Sequence, residues 1–447
     1  MSIVLVVVSA SQSLLNVEQK AWLISVSHGS PQNASLPASS PGALATLRNR
    51  TFSKLLVFEK FHHFYNQAVD VVYNARFDRS KVVSYDDVGD SLFWTSHYAT
   101  AIAHYYNVTG GDRESFHKIK DYIDTVDLLS GELTTKVGYL ARFAGLTSDP
   151  YYEKYIGPSS SSSHVGAAPY INLTWLGKES RDQYLGAAFG LASVRALVQE
   201  SSSNVTAEEI RSLQQSVSLL VERIVDRLRL DTWFIDPPKG IKDLPVNPTP
   251  FFICTWARLA INVNPTKYAK LNLVNSIWFK VSKTTKTWNP TSMFKSSYFS
   301  NNLNVISLYT YYLMEDTDSS KKNDVLDALK NLAVGEGSKH LQATFSCYYL
   351  AAAKNKDPVA SGILVGSLLD FPEKWDKAVN NTDNPLYKPH HDAENSGIAM
   401  LPSDRKFDTY MWQRTPTTLA GGSNSTTEYQ NIDAFLPYIV GMYAGVF

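Results

Sequence analysis

The chain has 447 residues, 44% of them apolar, with Lys+Arg and Asp+Glu both at 42 and a formal net charge of zero. A chain of this size buries a large core, and its balanced charge leaves neither a basic footprint for nucleic acid nor a basic run for an anionic membrane. Nine Trp and 25 Tyr supply a large aromatic core, a groove lined with flat rings, or both.

Residues 1–50 are rich in Ser, Ala and Pro and read as a signal-like segment followed by a loosely ordered arm. The first residues, Met1 to Ser11, form a short apolar run ending in small residues, as a secretory signal does, although a positive leader is missing. The run is too short to span a bilayer. Asn-x-Ser/Thr acceptor sites stand at Asn33, Asn49, Asn107, Asn172, Asn204, Asn380 and Asn424. Together with the N-terminus they predict a secreted glycoprotein, with sugar expected at Asn107, Asn172, Asn204, Asn380 and Asn424.

From residue 51 to residue 447 a single domain is expected, because no break in composition divides it. Apolar residues at steps of three and four predict helices over 53–78, 90–107, 112–129, 133–143, 180–199 and 206–230. The same spacing predicts helices over 251–262, 267–281, 302–314, 322–333, 338–353, 358–369 and 432–445. The clearest stripe is Ile210, Leu213, Val217, Leu220, Ile224 and Leu228. Long irregular connections are expected over 144–178, 231–250 and 371–430, where Pro, Gly, Ser and Asn collect. Strand-like alternation is scarce. About twelve helices joined by alternating short and long loops fit six helical hairpins closed in a ring, an all-α (α/α)6 toroid.

Cys254 and Cys347 are either a bridge closing a long loop or two buried thiols. No Cys-x-x-Cys or His-Glu-x-x-His pattern occurs, so neither a structural metal nor a cofactor is expected.

Four polar constellations carry candidate chemistry. Tyr85-Asp86-Asp87-Val88-Gly89-Asp90 leads into a helix containing Trp94, His97 and Tyr98, and its three carboxylates exceed what one helix cap needs. Asp87 and Asp90 stand three apart, close enough for their charges to separate two titrations. Glu179-Ser180-Arg181-Asp182-Gln183-Tyr184 opens another helix, with Trp175 just upstream and the small residues Gly186 to Gly190 downstream. Phe407 to Pro416 combines Trp412, Gln413 and Arg414, donors suited to hydroxyls or carboxylates. Glu428 precedes the last helix and is a candidate proton donor.

Taken in order, Asp90-Ser-Leu-Phe-Trp94-Thr, Gly138-Tyr-Leu-Ala-Arg142, Ser180-Arg-Asp182-Gln183-Tyr-Leu-Gly186, Trp412-Gln-Arg414-Thr-Pro416 and Asp433-Ala-Phe-Leu-Pro-Tyr resemble largely uncharacterised members of the six-hairpin glycosidase superfamily. The resemblance spans most of 53–447 and implies a toroid with its groove at one end. A looser likeness joins Asp87-Val88-Gly89-Asp90 to the Asp-Ala-Gly-Asp signature of inverting endoglucanases, with Glu428 and Asp433 near the late acidic position. Unsaturated glucuronyl hydrolases of the same fold pair two Asp residues from separate hairpins, which here are Asp90 and Asp182.

The expected function is a secreted glycoside hydrolase acting on an extracellular polysaccharide or glycan. Asp87 or Asp90 activates water or acts on the sugar, and Asp182 or Glu428 protonates the leaving oxygen. Trp94, Trp175, Tyr184 and Trp412 are expected to stack on sugar faces. Arg142, Gln183 and Arg414 are expected to bind its polar groups. A polysaccharide lyase working through His97, Tyr98, His390 and His391 is the alternative chemistry. A non-catalytic structural or glycan-binding glycoprotein on the same scaffold is the alternative class.

Overall fold

The computed structural model describes residues 13–29, 35–75, 78–86, 88–151, 162–239, 241, 244–284, 298–354, 357–373, 381–382, 384–387, 398–405, 415–419 and 426–447. The protein is mostly helical. Its described helices are α1 (Val17–Ser27), α2 (Pro41–Val57), α3 (Ser91–Val108), α4 (Arg113–Ser130), α5 (Arg181–Leu197), α6 (Ala207–Leu230) and α7 (Pro250–Val263). They continue with α8 (Leu271–Thr284), α9 (Tyr298–Met314), α10 (Ser319–Val334), α11 (Ala343–Ala353), α12 (Pro358–Asp370) and α13 (Ile432–Tyr443).

Local chemistry explains most helix starts. Thr206 accepts from the Glu209 amide while the Glu209 carboxylate accepts from the Thr206 amide, a reciprocal cap for α6. Asp112 caps α4, and Thr249-Pro250 and Asp357-Pro358 each place a capping side chain before a proline at the first helical position.

The helices fall into two kinds. α4 and α6 bury one stripe and leave the other face to water, as their residue spacing predicts. α3, α5, α7, α11 and α13 are buried on nearly every side, so their sequences are apolar or small almost throughout. Among these and α9, successive members pack on one another, α3 on α5, α5 on α7, α7 on α9, α9 on α11 and α11 on α13, α13 returns to α3, and α9 also packs closely on α5. The even-numbered helices pack outside them: α4 on α3 and α6, α6 on α5 and α7, α8 on α7, α10 on α9 and α11, α12 on α11 and α13, and α2 on α12 and α13. One large apolar cluster runs through the whole arrangement, from Leu47 to Val440.

The most extensive packing is α3 against α5. It depends on small residues: a Cβ at Gly186 would stand 2.9 Å from Phe93 Cα, and one at Gly190 would meet Tyr122 and Ser96.

Several sequence expectations need correction. The helix expected over 53–78 stops early: a π-helical turn at Phe58–His62 is followed by β1 (His63–Phe64), β2 (Gln67–Ala68) and β3 (Asp70–Ala75). β3 lies between β4 (Asp78–Asp86) and β8 (Thr427–Glu428), antiparallel to both, with Val71 opposite Tyr85 on one side and Glu428 on the other. The helix expected over 133–143 is a 3₁₀ turn and loop leading to β5 (Phe143–Leu146). The long connection after it contains β6 (Ser163–Val165) and β7 (Leu173–Leu176), with β7 central in a three-stranded antiparallel sheet. Each of these strands is short and gains its hydrogen bonds from a distant segment, so local periodicity does not reveal it.

The arm assigned to 1–50 holds α1 and the start of α2. The Asn16–Gln19 capping box starts α1, and Leu23 and Val26 bury against Leu341, Ile363 and Leu401. Cys254 and Cys347 are separate buried thiols.

Gly186→Ala is expected to lower stability by ~1–3 kcal/mol, because the new methyl meets backbone rather than a movable side chain. A urea-unfolding midpoint measures it, and an unchanged midpoint would show that α5 shifts off α3 freely.

Candidate active site

All six buried helices begin at one end of the molecule. Gln183, in the first turn of α5, bonds the first turn of α3. Tyr184 beside it packs on Phe252 and Trp256 in the first two turns of α7, at ring separations of 6.1 and 6.3 Å. Residues from the first two turns of α3, α9, α11 and α13 share one small cavity. Helix N-termini gathered this way present unpaired N–H groups and positive partial charge, which favours carboxylates.

Asp90 and Asp182 sit at two of these starts, and Gln183 ties them together. Its Oε1 accepts from the Phe93 amide at 3.0 Å. Its Nε2 donates to Asp90 Oδ1 at 3.1 Å and to the Gly89 carbonyl at 3.2 Å. Arg142 braces the same corner. Its guanidinium donates to the Gly89 carbonyl at 2.7 Å and the Lys178 carbonyl at 2.9 Å, and lies 3.7 Å from Asp90 Oδ1. Gln183 and Arg142, expected to bind substrate, make these contacts around Asp90. Asp90 keeps 21% of its side chain exposed.

Asp182 is half-buried in the first turn of α5. Burial and then the neighbouring Asp90 charge raise its pKa to about 6, against the opposing pull of Arg181 and Arg142. Two carboxylates from different parts of the chain therefore share one electrostatic site while meeting different surroundings.

The remaining expected site residues separate. Tyr184 is core: its hydroxyl accepts from the Leu140 amide at 3.1 Å, and burial pushes its pKa far up. Trp175 is buried in β7, edge-on to Tyr139 and 4.6 Å from the His164 ring. Trp94 is also buried, 4% exposed, but it lines the small cavity rather than an open wall. These three rings are buried as core aromatics commonly are. Asp87, Trp412, Arg414, His390 and His391 lie outside the described residues.

Glu428, a candidate proton donor, is held in an ion pair. Arg79 grips it with two hydrogen bonds, at 2.8 and 2.5 Å, across the β4–β3–β8 sheet. Burial pushes its carboxyl up, but Arg79, His62 and Lys54 together bring it below the ordinary value. Lys54 is a polar residue that sequence inspection passed over. It stands on the buried stripe of α2 with Leu47, Thr51 and Leu55, where a lysine is out of pattern. Its Nζ donates to the Glu373 carbonyl at 2.9 Å and Asn431 Oδ1 at 3.1 Å. Burial, reinforced by Arg50, brings its pKa down to about 7.

Tyr98 and His97, the lyase candidates, face different ways. The Tyr98 hydroxyl donates to Glu59 at 2.9 Å, while His97 Nδ1 pairs with the Phe93 carbonyl at 2.9 Å. Among the glycosylation sites, Asn107, Asn172 and Asn204 are exposed, whereas Asn380 and Asn424 lie outside the described residues. Among the described residues no helix is long and apolar enough to cross a membrane, and no group of three or more His, Cys, Asp or Glu is arranged to hold a metal ion. No protein-family model, curated protein or solved structure matches the chain.

Two pH responses follow. Asp182 has its pKa raised in the fold, so ionising it costs stability as pH rises from the unfolded value near 4 through about 6. Asp182→Asn is expected to be more stable than wild type above pH 6, by at most ~3 kcal/mol, and no more stable below pH 4. Lys54 has its pKa lowered, so its charge costs the fold most below pH 7, and the cost fades as pH rises toward 10. The stability difference between Lys54→Met and wild type should therefore move in favour of wild type over that range. Denaturant midpoints taken across pH measure both.

Proposed function

We propose that the protein is an exported glycoside hydrolase on an (α/α)6 toroid, acting on a polysaccharide or glycan. The cyclic neighbour order of the odd-numbered helices from α3 to α13, with an even-numbered helix outside each, supports the toroid. The connections of more than nine residues between successive helices from α2 to α13 all arrive at the starts of the buried helices. Loop length is thus concentrated where the helix N-termini gather, the usual place for a site built on a rigid scaffold.

The observation that carries the hydrolase reading is the Asp90–Asp182 pair. Glycoside hydrolysis needs one carboxyl that holds a proton near neutral pH and one that stays ionised. Asp182, with a pKa of about 6, suits the first role: it protonates the departing glycosidic oxygen. Asp90, held by Gln183 and Arg142, suits the second: it faces the positive charge that develops on the sugar and keeps the proton on Asp182. The separate orientations of His97 and Tyr98 favour hydrolysis over elimination. Exposed Asn107, Asn172 and Asn204 are in keeping with a glycosylated, secreted chain.

A glycan panel with product analysis tests the reading. The expected products are saturated sugars with a new reducing end. Asp90→Asn and Asp182→Asn should each lower kcat/KM by ~10²–10⁴-fold on a natural glycoside. An unsaturated product identifies a lyase. Binding without cleavage across the panel points to the non-catalytic alternative.

A further inference from the structure

The small cavity among the starts of α3, α9, α11 and α13 has a volume of about 20 Å³. That is room for one water and far too little for a sugar ring. Its walls are polar where they matter: Trp94 and His97 from α3, Asn302 from α9, Thr344 and Tyr348 from α11, and Asp433 from α13. Tyr348 is 1% exposed, and among the described residues its hydroxyl has no hydrogen-bond partner. A buried hydroxyl left this way costs free energy unless something in the cavity bonds it. Burial pushes its pKa up, and Cys347, Tyr309 and, least of the three, Asp433 add to that. His97 is already committed through Nδ1 to the Phe93 carbonyl, and burial brings its pKa down to about 4, so near neutral pH its other ring nitrogen is an acceptor.

The position of the cavity relates it to the carboxylate pair. Trp94 follows Asp90 by one helical turn, so the cavity begins about one turn along α3 from Asp90. Asp433 comes from α13, which packs on α3 as α5 does.

We propose that this cavity seats the attacking water, held between Asp433 and Tyr348, and that Asp433 is the general base of an inverting hydrolysis. The inference rests on the hydrolase reading above. The water oxygen forms a bond to the anomeric carbon as one of its protons passes to the Asp433 carboxylate. The glycosidic C–O bond breaks, its electron pair goes to the leaving oxygen, and the Asp182 proton goes with it. One water is consumed and two hydroxyl groups appear. Asp433 then returns its proton to solvent and Asp182 takes one up. Asp90 remains the charge-bearing partner and exchanges no proton.

Two measurements test this. The first is a high-resolution crystal structure of the wild-type protein, which should show a water bonded to both Tyr348 Oη and Asp433. Its absence overturns the seat whether or not any glycan is cleaved. The second is kinetics on a glycoside that wild type cleaves, compared with the matching dinitrophenyl glycoside, whose leaving group needs no proton. Asp433→Asn should lose ~10²-fold or more on both substrates and lose the acidic limb of the pH profile. Asp182→Asn should lose activity on the natural glycoside and recover it on the dinitrophenyl one. Tyr348→Phe, a milder change that keeps the ring packing, should lower kcat by ~10-fold with KM unchanged. The first product seen by NMR should carry the inverted anomer.

Retention of configuration, or recovery of Asp433→Asn on the activated substrate, overturns the base assignment while leaving the hydrolase reading intact. Water density without cleavage of any glycan overturns the hydrolase reading and the base role with it.

Discussion

The close approach of α5 to α3 is the contact on which the candidate site depends. Gly186 and Gly190 carry no side chain where Phe93, Ser96 and Tyr122 press in, so the two helices meet nearly backbone to backbone. At that distance Gln183 reaches both the Phe93 amide and Asp90. The two helices start at the same end, so their first-turn carboxylates fall into one electrostatic neighbourhood. A bulkier α5 surface would move Asp182 out along with its helix. The raised pKa of Asp182 is thus a consequence of packing several residues further along the same helix.

The same geometry repeats around the buried helices. Each begins at the end where Asp90 and Asp182 lie, and each adds N–H groups and a share of positive potential. That field suits clustered carboxylates, and it explains why acidic residues occupy three of these starts, as Asp90, Asp182 and Asp433. Arg142 contributes in a different way. Its guanidinium is spent largely on two backbone carbonyls, so it fixes the shape of the corner more than it neutralises it.

A second polar centre lies where β8 and the start of α13 meet α2. Arg79 and Glu428 fasten β4 to β8 across β3, while Lys54 fastens α2 to Asn431. Asn431 adopts a left-handed backbone, with φ of 61°, immediately before α13. These bonds set the direction in which α13 begins, and Asp433 stands two residues later. The Glu428 carboxylate is therefore part of the frame around the site. Its pairing with Arg79 favours the ionised carboxylate and ties β4 to β8.

Local patterns carried much of this in the sequence itself. The stripe from Ile210 to Leu228, the Thr206–Glu209 cap and the apolar runs of α7 and α11 identify helices, because a helix is decided by contacts within a few residues. The acidic starts at Asp90 and Asp182 were legible for the same reason. The two-to-nine-residue strands were not, since each depends on a partner far along the chain. Nor could composition tell a ring that faces sugar from one that fills the core, and Tyr184 and Trp175 proved to be the second kind.

The sequence by itself determined which segments are helical and where charge gathers at their ends. Only the tertiary structure decided which charges meet. Asp90 lies beside Asp182, Glu428 lies with Arg79, and Lys54 is buried against Asn431. Those pairings depend on how closely helices pack and on which faces turn inward, and both are properties of the whole chain rather than of any one stretch of it.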